Sequence, residues 1–267
     1  MASPRTIAMG LVLLLPATAL AHGAGGHPAD PALHVDASLE DCSVVFAPEL
    51  SQAAFHRFTR EFGSLGAFKQ VSPPTTLGRR GVSVGLDGIA FSIDDKSDAW
   101  NDTFAHPDEY HELGSDLRFP KLTLRVGVTD DLDIGAFYSE NPNANYGWLG
   151  IDVKYGVLEQ SRDMPVSLAV RGAYTKTLYV ADMDMHAATV DVSIGRTFWT
   201  VLTPYVGVGS DAVLARETSD AVELETEAVV VPHATAGLEL RYWHVAIGGE
   251  AQLSEVNSYQ VRVSAVF

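Results

Sequence analysis

The chain has 267 residues, 46% of them hydrophobic and 19% charged, with a formal net charge of -16. That balance excludes a disordered chain, and so strong an acidity disfavours nucleic acid and anionic surfaces as partners. The 23 Gly, 13 Pro and frequent β-branched residues suit many short strands joined by turns.

In chain order, Arg5 precedes a short apolar run, Ile7 to Leu15, which Pro16 interrupts. Ala19-Leu20-Ala21 then supplies small residues at the positions a signal peptidase reads, so residues 1–21 are expected to be a cleaved signal peptide. The run is shorter than the roughly 20 residues a spanning helix needs, and no second long apolar run follows. The choice is then between a soluble secreted protein and a barrel that crosses a membrane by strands.

Residues 22–81 read as a periplasmic leader. Its first part, to residue 41, is rich in Gly, Ala and Pro, and its His22, His27 and His34 are candidates for capturing a transition metal. Cys42 is the sole cysteine, so an intrachain disulfide is impossible, and Ser38 to Asp41 before it do not form a lipid-attachment signal. Pro48 and Ser51 suit a helix start and Gly63 a stop, with Ala54, Phe55, Phe58 and Phe62 as the apolar stripe. An amphipathic helix near 48–63 follows, with His56, Arg57, Arg60 and Glu61 on its polar side. It packs under or inside a barrel, or lies on the membrane surface.

From Val82 onward the pattern alternates with period two. Runs at 82–93, 122–128, 132–138, 147–157, 166–174, 188–199, 203–216, 226–241, 244–253 and 257–267 give ten candidate strands, an even number as bacterial barrels require. Links near 129–131, 200–202 and 242–243 are short, and those near 94–118, 177–187 and 217–226 are longer. One face carries Arg125, Asp133, Asp152, Lys154, Arg171, Asp191, Glu250 and Arg262 among Gly, Ser and Thr, a set suited to a narrow lumen filled by paired charges. The other face is apolar, with Tyr138, Tyr155, Tyr174, Phe198 and Tyr259 near strand ends, as in interfacial girdles.

The last strand is the most specific feature. Tyr259, Val261, Val263, Ala265 and Phe267 alternate with Gln260, Arg262, Ser264 and Val266. This resembles the C-terminal assembly signal of bacterial outer-membrane β-barrel proteins. The resemblance covers residues 82–267. It implies an all-β, antiparallel up-and-down transmembrane barrel of about ten strands (8–12). It also implies outer-membrane location, contact with outer-membrane lipid, insertion by the barrel-assembly machinery, and a monomer.

Candidate chemistry is sparse. The loop at 94–118 crowds Asp and Glu with His106, Asp108, His111 and Glu112, donors that suit a divalent cation, but in no EF-hand or zinc spacing. No resident cofactor is expected. No G-x-S-x-G occurs, and His186, His233 and His244 with Asp191, Glu239 and Glu250 form no recognisable triad, so a non-enzymatic protein is expected. The sequence thus favours a structural barrel or a narrow pore for small solutes. The alternatives are a cell-surface binding or adhesion protein using acidic loops, a lumen-rim hydrolase, and a soluble secreted barrel. A membrane barrel is expected to run faster on a gel unboiled than boiled; a soluble periplasmic pool with no such shift would favour the soluble alternative.

Overall fold

The computed structural model describes residues 39–67, 71–107 and 113–267. The expected signal peptide at 1–21, His22, His27 and His34, and Asp108, His111 and Glu112 of the long loop lie outside these residues.

Ten strands form one closed antiparallel barrel: β2 (Val82–Ser92), β4 (Asp116–Gly127), β5 (Leu132–Glu140), β6 (Gly147–Leu158), β7 (Ser167–Leu178), β8 (Met183–Gly195), β9 (Leu202–Glu217), β10 (Glu227–Tyr242), β11 (Val245–Leu253) and β12 (Ser258–Val266). Each pairs with its neighbour in the chain, and β12 closes against β2 from Ser258↔Phe91 to Val266↔Ser83. Beyond the last ladder pair, Phe267 N donates to Val82 O at 2.8 Å and Val82 N to Phe267 O at 3.0 Å. Four further elements precede or interrupt the barrel. β1 (Ser43–Val44) pairs with β3 (Phe104–Ala105), and α1 (Gln52–Gly66) and α2 (Asp98–Asn101) flank the first barrel strand in sequence.

Alternation sorts the side chains by face, as a two-residue period must. In β4 the buried residues are Leu117, Phe119, Lys121, Thr123 and Arg125, while Leu122, Leu124 and Val126 face outward. The barrel is therefore inside-out: charges and hydroxyls point inward, and a band of Val, Leu and Ile covers the outside. Aromatics rim that band. Trp199, Tyr242, Trp243 and Phe267 stand exposed at one end, and Tyr174, Tyr179 and Tyr259 at or toward the other. Trp199 (φ 50°) and Trp243 (φ 55°) occupy the left-handed region in their turns, where backbone ease alone would select Gly or Asn.

Several boundaries differ from the sequence reading. β4 begins at Asp116, not near 122, because Arg118, Pro120 and Lys121 read as loop. Pro120 costs the ladder one donor, yet it sits in register opposite Gly88. β8 begins at Met183 rather than 188. The helix spans Gln52–Gly66, capped by Ser51, whose side chain accepts from Ala54 N at 3.2 Å. Gly63 is not its stop. A Cβ at Gly63 would collide with Val213 and one at Gly66 with Trp148, so both glycines let the helix approach the barrel wall.

That wall is the inner one. The segment before β2 lies inside the barrel rather than beneath it. Residues 39–47 sit at the end bearing loops 93–115, 141–146, 179–182 and 218–226, and α1 packs within that mouth. The chain then runs along the lumen. Val71 lies against Arg262 and Gly248, and Ser72, Pro73 and Thr75 lie at Lys154. Leu77 N donates to Asp133, and Thr76 Oγ1 donates to Asp130 O in the turn below β4. The segment thus crosses the lumen from loop end to turn end before entering β2. A Cβ on Gly248 would stand 2.9 Å from Val71 Cγ1. A Val71→Cys/Gly248→Cys pair in a Cys42→Ser background should therefore oxidise spontaneously and migrate as a cross-linked loop on a denaturing, non-reducing gel. Absence of that species in folded protein would contradict the path.

Candidate functional site: the lumen and its amino-terminal plug

The lumen has an aromatic layer at the loop end and a charged layer below it. The aromatic layer is shared by three parts of the chain. Phe55, Phe58 and Phe62 project from one face of α1, and Trp100 and Phe104 come from the long loop; all five are 0% exposed. Phe119, Phe137 and Trp148 project from the wall. The rings meet edge-on or stacked, for example Phe58–Phe62 at 4.9 Å, Phe62–Trp148 at 5.5 Å and Trp100–Phe104 at 5.5 Å between centroids. Each fully buried Phe contributes roughly 1.5–3 kcal/mol of transfer free energy, so this face alone docks the helix firmly.

The polar side of α1 faces the rim. Arg57 Nε donates to Glu61 Oε1 at 2.6 Å, and the buried Glu61 also accepts from Trp100 Nε1. His56 lies 2.7 Å from Glu227, Arg60 lies 2.7 Å from Glu255, and Arg57 Nη2 reaches Asp94 at 3.1 Å. Hydrogen bonding to Glu61, then the charges of Glu61 and Asp94, raise the Arg57 pKa. In the same mouth, burial pushes the Asp102 carboxyl above its ordinary value. Rim pairs of this kind are worth up to about 1 kcal/mol each, so they orient the helix more than they hold it.

In the charged layer, Arg125 Nη2 lies 2.5 Å from Asp152 Oδ2, beside Gly135, where a Cβ would collide with Asp152. Lys154 Nζ lies 3.4 Å from Asp133 and donates to Ser72 Oγ (3.2 Å), Pro73 O (3.2 Å) and Thr75 O (2.6 Å). Arg171 Nε donates to Asp191 Oδ2 at 2.7 Å. Arg262 is 3.6 Å from Asp87 and donates to Val71 O at 3.2 Å. Glu250 accepts from Tyr205 OH at 2.9 Å. The eight charged residues singled out from sequence thus all face the lumen, and three of them, Asp133, Lys154 and Arg262, bind the threaded segment.

Sequence reading missed Asp87, Lys121 and Asp211 as members. Lys121 Nζ lies 3.3 Å from Asp87 and donates to Gln260 Oε1 at 2.9 Å. Asp211 accepts from Thr189 Oγ1 at 2.7 Å and lies 3.3 Å from His233 Nδ1. Parity would have found two of them: Lys121 is four residues before Arg125 on the same strand, and Asp87 shares its parity with Gly85 on β2, whose face is set by Arg262 across the seam. Tyr205 is another omission.

The histidines do not converge. His233 lies in the lumen, 2.6 Å from Asp191, whereas His186 is on the outer side of β8 with Tyr174 (2.5 Å) and Asp184 (3.3 Å). His186 falls within the link that the sequence places near 177–187; it is in β8, and Met183 and Met185 of the same strand face inward. His244 is in the 243–244 turn, stacked at 5.5 Å on Phe267 and far along the barrel from Glu250. Of the metal candidates only His106 is among the described residues; its Nδ1 lies 3.1 Å from Cys42 Sγ. Among the described residues no group of three His, Cys, Asp or Glu has a geometry to hold a metal ion.

On the outside, Tyr259, Val261, Val263 and Phe267 are exposed and Ala265 half-buried, all on the lipid-side face of β12. A closed sheet with an apolar exterior and a polar, packed interior is the outer-membrane β-barrel architecture, and that exterior places the chain in the outer membrane.

No protein-family model matches the chain, and no curated protein matches its sequence. Among solved structures, an outer-membrane channel from Pseudomonas putida F1 is similar at 10% identity, covering 74% of this chain and 100% of that one, with a TM-score of 0.43. Ail, the attachment invasion locus protein of Yersinia pestis, gives 12% identity, 71% and 99% coverage and a TM-score of 0.34. The N-terminal β-barrel domain of Pseudomonas aeruginosa OprF gives 11%, 71%, 99% and 0.32. Likeness at these values carries nothing about activity, and the membrane assignment rests on the chain's own polarity.

Removing one partner of a buried pair leaves a desolvated charge, at a cost of about 3–5 kcal/mol, whereas replacing both by apolar residues is far milder. Arg125→Met should therefore lower the urea midpoint of the folded, heat-modifiable band strongly. Arg125→Met/Asp152→Leu should restore most of it. Equal losses in both would contradict a coupled pair.

Proposed function

We propose that the protein is a non-enzymatic outer-membrane barrel whose lumen is closed by its own amino-terminal segment, so that it serves as an envelope structural protein and conducts solutes only when that segment moves. The observation that carries this reading is the aromatic layer. Rings from α1, the long loop and the wall meet with Phe55, Phe58, Phe62, Trp100 and Phe104 at 0% exposure, which leaves no solvent among them. Below it, Lys154 and Arg262 are bound to backbone carbonyls of residues 71–75 instead of facing an aqueous path. A ten-strand barrel is only slightly wider than the eight-strand barrels that side chains fill, so one helix and one extended segment suffice to occupy it.

The dispersal of His186, His233 and His244 over the outer face, the lumen and a turn supports the non-enzymatic part, since catalysis requires such groups within hydrogen-bond reach of one substrate. The lipid-side face of β12 is the surface offered to outer-membrane lipid and, during biogenesis, to the barrel-assembly machinery. The chain acts as a monomer in this reading.

Planar-bilayer recording tests closure. The full chain should give no steady large conductance. Gly63→Leu, which drives the helix off Val213 without altering the wall, should open it, as should deletion of residues 52–66. Steady large conductance from the unaltered chain would contradict a closed lumen. Silence of both altered proteins, shown to be folded by their gel shift, would contradict the role of the segment in closing it.

A further inference from the structure

We infer that the barrel carries its own amino-terminal segment through the lumen, so that residues 39–47 lie at the external face of the outer membrane. This goes beyond closure: a barrel that conducted would still be threaded.

The first support is where the described chain begins. Glu40 N and Asp41 N both donate to Asn143 O, at 3.1 and 3.0 Å, in the loop between β5 and β6. Val44 N donates to Asn145 Oδ1 at 2.7 Å, and Phe46 N to Asp182 Oδ2 at 2.8 Å in the loop between β7 and β8. Ser43 and Val44 pair with Ala105 and Phe104 of the long loop. Three separate loops of one barrel end thus grip the segment before α1. The second support is the route onward. From Ala67 the chain reaches Val71 at Arg262, Pro73 and Thr75 at Lys154, and Leu77 at Asp133, and emerges at the opposite end to begin β2.

The two ends can be assigned to the two sides of the membrane. One end holds the first residue of β2, the end of β12 and the two-residue turn 243–244; the other holds the excursions 93–115 and 218–226. Short turns are periplasmic and longer loops external in bacterial barrels. Whatever chain precedes Glu40 therefore starts from the external mouth.

The test uses single cysteines at exposed sites on the two ends, Glu40→Cys and Arg79→Cys, each in a Cys42→Ser background with the gel shift confirming the fold. Intact cells are treated with a membrane-impermeant maleimide, with a cysteine-bearing soluble periplasmic protein as the control for an intact outer membrane. Glu40→Cys should label in intact cells, and Arg79→Cys only after permeabilisation. Labelling of Glu40→Cys only after permeabilisation overturns the inference, as does labelling of Arg79→Cys in intact cells while the control stays silent. Neither readout depends on conductance, so failure here and failure of the closed-lumen reading are separable.

Discussion

Hydrocarbon supplies no water to an unpaired peptide group, so a sheet in a bilayer has to join its last strand to its first. In this chain the joint is β12 on β2, and it extends to the mutual hydrogen bonds of Val82 and Phe267. Closure has a second effect. It encloses a lumen whose wall is set by the inward half of every strand, and that volume must be packed, hydrated or occupied. The apolar exterior and the polar interior are two faces of one alternation, so neither can be altered without the other.

The lumen is filled in two chemically different ways. At the loop end, rings from the helix, the long loop and the wall exclude water and meet through apolar faces, with the Trp100 N–H taken by Glu61. Toward the turn end, the wall bears Lys and Arg that would be costly to bury alone. Carboxylates on neighbouring strands pair with them, and carbonyls of residues 71–75 accept further hydrogen bonds from Lys154 and Arg262. The threaded segment is therefore apolar where it meets rings and offers backbone oxygen where it meets cations. This match of the segment to each layer is why the two behave as one interior.

Much of the fold was legible because a period-two pattern survives in a single sequence. The alternation in 122–128 and 147–157 assigned faces directly, and the strand ending at Phe267 pointed to closure. The beginnings of β4 and β8 were less legible: Lys121 resembles a loop residue until the inward face is known to be charged, and Arg118 and Pro120 interrupt the apolar pattern of the outward face. The helix was legible as a helix from Phe55, Phe58 and Phe62, but not its place. An aromatic stripe has the same spacing whether it meets lipid, a rim or a lumen, and Gly63 reads as a stop until Val213 is seen against it. Pairings such as Arg171 with Asp191 depend on register between strands, which local spacing does not encode.

The threaded segment also constrains the order in which the molecule can be made. Residues 39–77 precede every barrel strand, and the β12–β2 seam joins the first strand to the last. An aromatic helix cannot readily be drawn through a finished ring whose mouth it fills. The segment has to be in place while the sheet is still an open, curling ribbon, with the strands added around it and the seam zipped afterwards. Phe267 then marks the moment of enclosure as well as its position: once the final strand is paired, α1 and residues 71–77 are held inside the strands that follow them.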